Sequence, residues 1–159
     1  MRLPSCLVDP NIPLIADASV AINLNATGCI ADILRALPNP VIVTDVVLGE
    51  LNNGYRPGKD LEILKGFVKK GLIEVVQLSE ASENLFVQLV GGTAVQTLDD
   101  GEASTLAYAS EVSGIPLIDE RKAIRICRER FPVLTSACTV DILSHSCVQN
   151  AFAQDDLSD

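Results

Sequence analysis

Apolar residues along this chain come in two rhythms. Short apolar runs occur at 14–16, 41–43 and 115–118, with a largely apolar stretch, interrupted by Glu74 and Gln77, at 72–78, and between them apolar positions are spaced by three and four. The runs predict buried strands and the spaced stripes predict helices. DASVAINLN begins a helix directly after the first run, and Ile30, Ile33, Leu34 and Leu37 carry the next stripe until Pro38 and Pro40 stop it. After the second run Thr44 or Asp45 can cap the turn into VVLGEL, which places Glu50 among apolar neighbours. Leu61, Leu64, Phe67 and Val68 form another stripe ended by Gly71, and residues 81–90 form a helix with Leu85, Phe86 and Leu89 inward. In LDDGEASTLAYAS, residues 98–110, an acidic knot opens a helix whose Ala103, Leu106, Ala107 and Ser110 make a narrow packing face. ERKAIRICRER continues from Asp119 as a basic amphipathic helix; Val133 and Leu134 predict a last strand, and residues 140–143 a last helical segment. Alternating strands and helices imply an α/β fold with a mostly parallel sheet covered on both faces. Residues 1–150 are expected to form one domain and 151–159 a frayed polar tail.

Composition agrees with that layout. The chain has 159 residues, 48% hydrophobic but only 4% aromatic, so its core must be built from Val, Ile, Leu and Ala. The formal net charge of -9 disfavours indiscriminate binding to polyanions, although a local basic face remains compatible with it. Five cysteines without a CxxC pair read as reduced structural thiols, and a single histidine, His145, gives little support to a zinc site or a Ser/His triad. The proline-punctuated start does not resemble a signal peptide, and no apolar run is long enough to span a bilayer. A cytoplasmic protein without membrane contact is the expectation.

Charge placement narrows the chemistry. Asp17 and Asp119 each end a predicted strand, and Glu50 and Glu102 lie in the first helices beyond loops on the same rim. In an open α/β sheet ligands collect outside the carboxyl ends of the strands. Each acid alone has an ordinary explanation: Asp17 and Asp119 as helix N-caps, Glu50 as a surface residue, and Glu102 as half of a capping box with Asp99. Four carboxylates converging without a matching base would repel one another unless hard cations neutralise them, which points to Mg²⁺ or Mn²⁺.

Together, LIADASVAINL around Asp17, VVLGEL around Glu50, LDDGEASTLAYA around Glu102 and PLIDERKAIRICRE around Asp119 resemble the PIN-domain metal-dependent ribonucleases. Bacterial members of that family include VapC-type toxins of toxin–antitoxin pairs, and the GEA and apolar-DER motifs look closest to a less characterised branch. The resemblance implies a three-layer α/β/α fold with a central mostly parallel sheet. It implies metal-ligand and catalytic roles for Asp17, Glu50, Glu102 and Asp119, with Asp100 and Asp99 as additional candidates, Glu120 an ambiguous neighbour, and Ser19 orienting a carboxylate or a metal-bound water. The activity implied is hydrolysis of RNA phosphodiesters in single-stranded or structured RNA by a metal-activated water. A catalytically idle module binding RNA or protein is the alternative, and a pocket for a small phosphorylated ligand is a third reading. An integrin-like DxSxS site fails because position 21 is Ala, and a phosphoaspartyl DxD fails because position 19 is Ser.

Arg121, Lys122, Arg125 and Arg128 fall together on the basic helix and are candidates for RNA phosphate contacts. Arg56, Lys59, Lys69 and Lys70 are a more scattered basic group, and Tyr55 with Arg56 could stack on a base. As partners the resemblance implies RNA, an antitoxin if the protein is a toxin, and a second copy of the chain. Asp119→Asn is expected to abolish cleavage while preserving or improving folding, because one repulsive carboxylate disappears.

Overall fold

The computed structural model describes residues 7–53 and 58–155; Tyr55 and Arg56, and the last residues of the expected tail, lie outside the described residues. The strand runs become β1 (Leu14–Ala16), β2 (Val41–Thr44), β3 (Glu74–Val76) and β4 (Ile115–Leu117). They form one parallel sheet in the order β3-β2-β1-β4. Helices α1 (Ala18–Ala26) and α2 (Ile30–Ala36) connect β1 to β2, and α3 (Asp45–Asn53) and α4 (Lys59–Lys69) connect β2 to β3. Helices α5 (Glu80–Val90) and α6 (Asp100–Val112) carry the chain back across the sheet to β4. Helices α7 (Arg121–Arg130), α8 (Thr139–Leu143) and α9 (Ser146–Asp155) complete it.

Strand alternation divides the core into two. Leu14, Ala16, Val41, Val43, Ile115 and Leu117 point to the face covered by α1, α2, α3, α4, α8 and α9. Ile15 and Ile42 point the other way, onto Ala109, Tyr108 and Val112 of α6. On that second side Leu89 of α5, Ala103, Leu106 and Ala107 of α6, and Ala123, Ile126 and Cys127 of α7 pack together. The result is the α/β/α arrangement expected. Because α6 is packed between the sheet and other helices, it is buried on nearly every side, and small residues are what let it lie so close.

Two local expectations change. Val133 stands 92% exposed and Leu134 turns back to Phe131, so 133–134 is not a strand; the sheet is instead extended by a single bridge from Leu117 to Ala137. A two-residue apolar sequence beside Pro132 could not reveal which residue reaches the sheet edge. The stretch read as a tail from 151 continues α9 to Asp155, because Val148 is buried and Phe152 packs against the core on the first face. Among the described residues no helix is long and apolar enough to cross a membrane.

β1 runs to β2 and β3 on one side, whereas β4 lies on its other side, so the strand order reverses between β1 and β4. Their carboxyl ends therefore open a crevice instead of being closed by a direct connection. Asp17 leaves β1 there, with its backbone amide donated to Leu117 O of β4.

Candidate active site

Asp17 occupies the N-cap position of α1, yet its side chain makes no capping bond. Its Oδ2 accepts the Ser19 hydroxyl at 2.9 Å, while Oδ1 is buried with no hydrogen-bond partner. A carboxylate oxygen only 3% exposed at the residue level and left without a donor is a costly arrangement. Glu50, half-buried on α3, turns toward the first turn of α6, where its Oε1 accepts the Gly101 amide at 2.9 Å. Gly101 is the point where the two acids meet. A Cβ on residue 101 would run into the Glu50 carboxylate and stand 2.9 Å from Asp17 Oδ1. Only a glycine leaves this space to the carboxylates.

Asp99 caps α6 by accepting the Glu102 amide on Oδ1 at 3.0 Å. The capping reading is thus correct for Asp99, but Glu102 itself is buried, 5% exposed. Burial pushes the Glu102 carboxyl up to about 8, with repulsion from Asp99, Asp17 and Glu120 adding to it and the Asp99 amide partly offsetting it. Burial also raises Asp17, against the hydrogen bond from the Ser19 hydroxyl and the nearby Ala18 and Ser19 amides, and raises Glu50, against the bond from Gly101; Asp99 repels both. Asp100 adds to the repulsion on Glu50. The charge of Asp99 thus acts on Asp17, Glu50 and Glu102 alike, although Asp99 is only an additional candidate in the sequence. The signal for it lay in the LDD run, where the cap position turns a side chain back toward the helix start.

Asp119 has a different setting. Its Oδ1 accepts the Thr139 amide at 2.7 Å, and its Oδ2 accepts the Thr139 hydroxyl at 2.5 Å and Asn23 Nδ2 at 2.7 Å. It ties the end of β4 to α1 and α8, and it is absent from the principal repulsive neighbours of Asp17, Glu50 and Glu102. Glu120, beside it, caps α7 through Ala123. These bonds reverse the expectation that Asp119→Asn would leave folding intact or improved. An amide loses charge assistance and sets its NH₂ against existing donors, so the variant should lose about 1–2 kcal/mol of stability. Urea denaturation in EDTA checks this: stability equal to or above wild type would mean that repulsion outweighs the hydrogen bonds at Asp119.

The basic helix is partly committed elsewhere. Arg125 donates to Val95 O at 2.7 Å and pairs with Glu129 at 3.0 Å, and Lys122 reaches Ala94 O at 3.5 Å. Both hold the loop that leads into α6. Arg121 is exposed at the crevice end of α7, and Arg128 is exposed two turns further along, roughly 10 Å away at 1.5 Å per residue. In the scattered group, Lys70 lies over the Phe67 ring, 5.8 Å from its centroid.

All the acids near the crevice offer hard oxygen donors, the chemistry Mg²⁺ and Mn²⁺ prefer, and the unpartnered Asp17 Oδ1 facing Glu50 is an atom a cation would satisfy. Among the described residues no three His, Cys, Asp or Glu side chains are already gathered as a metal cage. The donor set fits a divalent cation in its chemistry, with side-chain adjustment needed to close around one.

A family model described as "DUF3368: PIN domain" matches residues 13–146. Among solved structures, the crystal structure of PAE2754 from Pyrobaculum aerophilum is similar in fold, at 13% identity and a TM-score of 0.51, covering 91% of this chain and 100% of that one. No curated protein matches the chain.

Proposed function

This chain belongs to the PIN-domain family, and from that premise we propose that it is a Mg²⁺- or Mn²⁺-dependent RNA endonuclease. Family membership supports a nuclease-like function in general. The observation that carries the finer reading is the buried, unpartnered Asp17 Oδ1 directed with Glu50 at the bare Cα of Gly101. Asp17, Glu50 and Glu102 are the proposed ligands, with Asp99 and Asp100 beside them. A bound divalent ion there would supply an activated water and neutralise charge on the scissile phosphate.

The chain's own residues do the rest. Ser19 fixes the Asp17 carboxylate through its hydroxyl, and Gly101 fixes Glu50 through its amide. Asp119 braces the crevice by joining α1 to α8 through three accepted hydrogen bonds, which leave its carboxylate one acceptor site. Arg121, at the crevice end of α7, is placed to meet a substrate phosphate; Arg128 would meet one further along the strand. With α7 as its main basic element and Arg121 and Arg128 as the proposed phosphate contacts, the protein would bind RNA weakly and with a shallow salt dependence, since the salt slope scales with the number of phosphates contacted. A second copy would enlarge that basic surface. A toxin role would require an antitoxin that fills the acidic crevice with a basic side chain, and a small neighbouring reading frame is where to seek one.

The test is cleavage of a labelled single-stranded RNA pool by purified protein with Mg²⁺ or Mn²⁺. Products should disappear with EDTA and in Asp17→Asn. Intact RNA, together with calorimetry showing no divalent-ion binding, would replace this reading with that of an idle binding module.

A further inference from the structure

Beneath the acidic crevice lies a ring of hydrogen bonds that the proposed chemistry does not itself require. Thr44 ends β2 and Ser104 sits on α6; both are fully buried, with their hydroxyl oxygens 2.8 Å apart. Proton counting fixes the direction of that bond. Ser104 has one hydroxyl proton, and it is donated to Gly101 O at 2.9 Å, so the Thr44 hydroxyl must be the donor to Ser104. Thr44 Oγ1 in turn accepts the Val47 amide at 3.2 Å, a capping bond to the third residue of α3. Three residues further along α3 is Glu50, which accepts the amide of the same Gly101.

The circuit closes. It runs from Val47 to Thr44, to Ser104, to Gly101, and through Gly101 to Glu50 on the helix where it began. Both protons of the hydroxyl pair are used, so neither hydroxyl can rotate without stranding a buried donor. We infer that the Thr44–Ser104 pair is a positioning device: it locks the start of α3 to the first turn of α6 and thereby sets Glu50 opposite Asp17 Oδ1. Neither residue touches substrate or ion. The inference rests on the nuclease reading for its consequence, though not for the ring.

Outer residues that orient ligands typically change metal affinity by 10- to 100-fold when removed, and this pair acts through a backbone amide, so about tenfold is expected. Thr44→Val keeps the side-chain shape and deletes the hydroxyl; Thr44→Ser restores it. Ser104→Ala cuts the ring from the other side and serves if Thr44→Val fails to fold. Ile142→Val, which thins the core behind α8, is the control for lost stability alone. Mn²⁺ titration of the full chain by calorimetry should give about tenfold weaker binding in Thr44→Val or Ser104→Ala, near-wild-type affinity in Thr44→Ser, and unchanged affinity in Ile142→Val. Wild-type affinity in the hydroxyl-deleted variants, or an equal loss in Ile142→Val, overturns the inference.

Hydrogen exchange at the Gly101 amide separates this outcome from failure of the function. Thr44→Val should speed that exchange relative to wild type and Thr44→Ser should not, whether or not the protein binds Mn²⁺. Wild-type protein that ignores Mn²⁺ overturns the nuclease reading, and unaltered exchange at Gly101 overturns the ring as a positioning device.

Discussion

Gly101→Ala should leave a folded protein of near wild-type stability that has lost about 100-fold in RNA cleavage. The two halves of that result have separate causes. Position 101 lies in the first turn of α6 with ordinary helical backbone, so an added methyl favours the helix by about 0.5–1 kcal/mol through the unfolded chain. The same methyl meets the carboxylate of Glu50, the free end of a flexible side chain that can swing aside, and it also stands 2.9 Å from the buried Asp17 Oδ1, whose small shift offsets part of the helix gain. Moving Glu50 also relieves burial and repulsion that raise its carboxyl above its ordinary range. Stability is therefore preserved while geometry is not. Glu50 leaves its place opposite Asp17 and its bond to the Gly101 amide weakens, and displacement of a catalytic group by about 1 Å is enough for a loss of this size. Thermal melting in EDTA and single-turnover cleavage with Mn²⁺ read the two halves. Cleavage at the wild-type level would show that Glu50 has no part in the chemistry at this position.

That prediction was not available from the sequence, and the reason is physical. The strands were legible because parallel strands buried on both faces need continuous apolar runs, as at 14–16 and 41–43. The helices were legible through their spacing and their stops. Asp17, Glu50 and Glu102 could be nominated because strand ends and following helix starts share one rim in this topology. What the linear pattern does not carry is side-chain direction. Asp119 and Asp17 follow strands in the same way, but Thr139, twenty positions later, claims both oxygens of Asp119 and leaves Asp17 Oδ1 bare. Asp99 looked like a cap and is one, and the cap is also what places its charge among the other acids. Arg125 matched the spacing of a phosphate-binding face, yet its partner is a loop carbonyl thirty residues away. In each case the deciding neighbour is remote in sequence.

In EDTA, the protein should be more stable at pH 5.5 than at pH 8. The folded Glu102 carboxyl is raised to about 8 from an ordinary 4.5, so between those values the folded state keeps a proton that the unfolded state releases. Stability then falls as pH climbs through the window and levels off above it. Asp17 and Glu50 are shifted in the same direction, so whatever they contribute carries the same sign. The total effect is on the order of 3 kcal/mol, or roughly 10 °C in Tm for a chain of this size. Glu102→Gln isolates the main contributor: glutamine carries no titrating proton, so the variant should lose much of the slope and melt above wild type at pH 8. Divalent ions act in the opposite sense, because a cation binds the deprotonated carboxylates and only in the folded arrangement. Millimolar Mn²⁺ should accordingly raise Tm more at pH 8 than at pH 5.5 in wild type, and by much less at either pH in Glu102→Gln. A melting temperature in EDTA that rises between pH 5.5 and 8 would remove the buried acid from the account. It would also remove the argument that Glu102 is held in the crevice for a cation to neutralise.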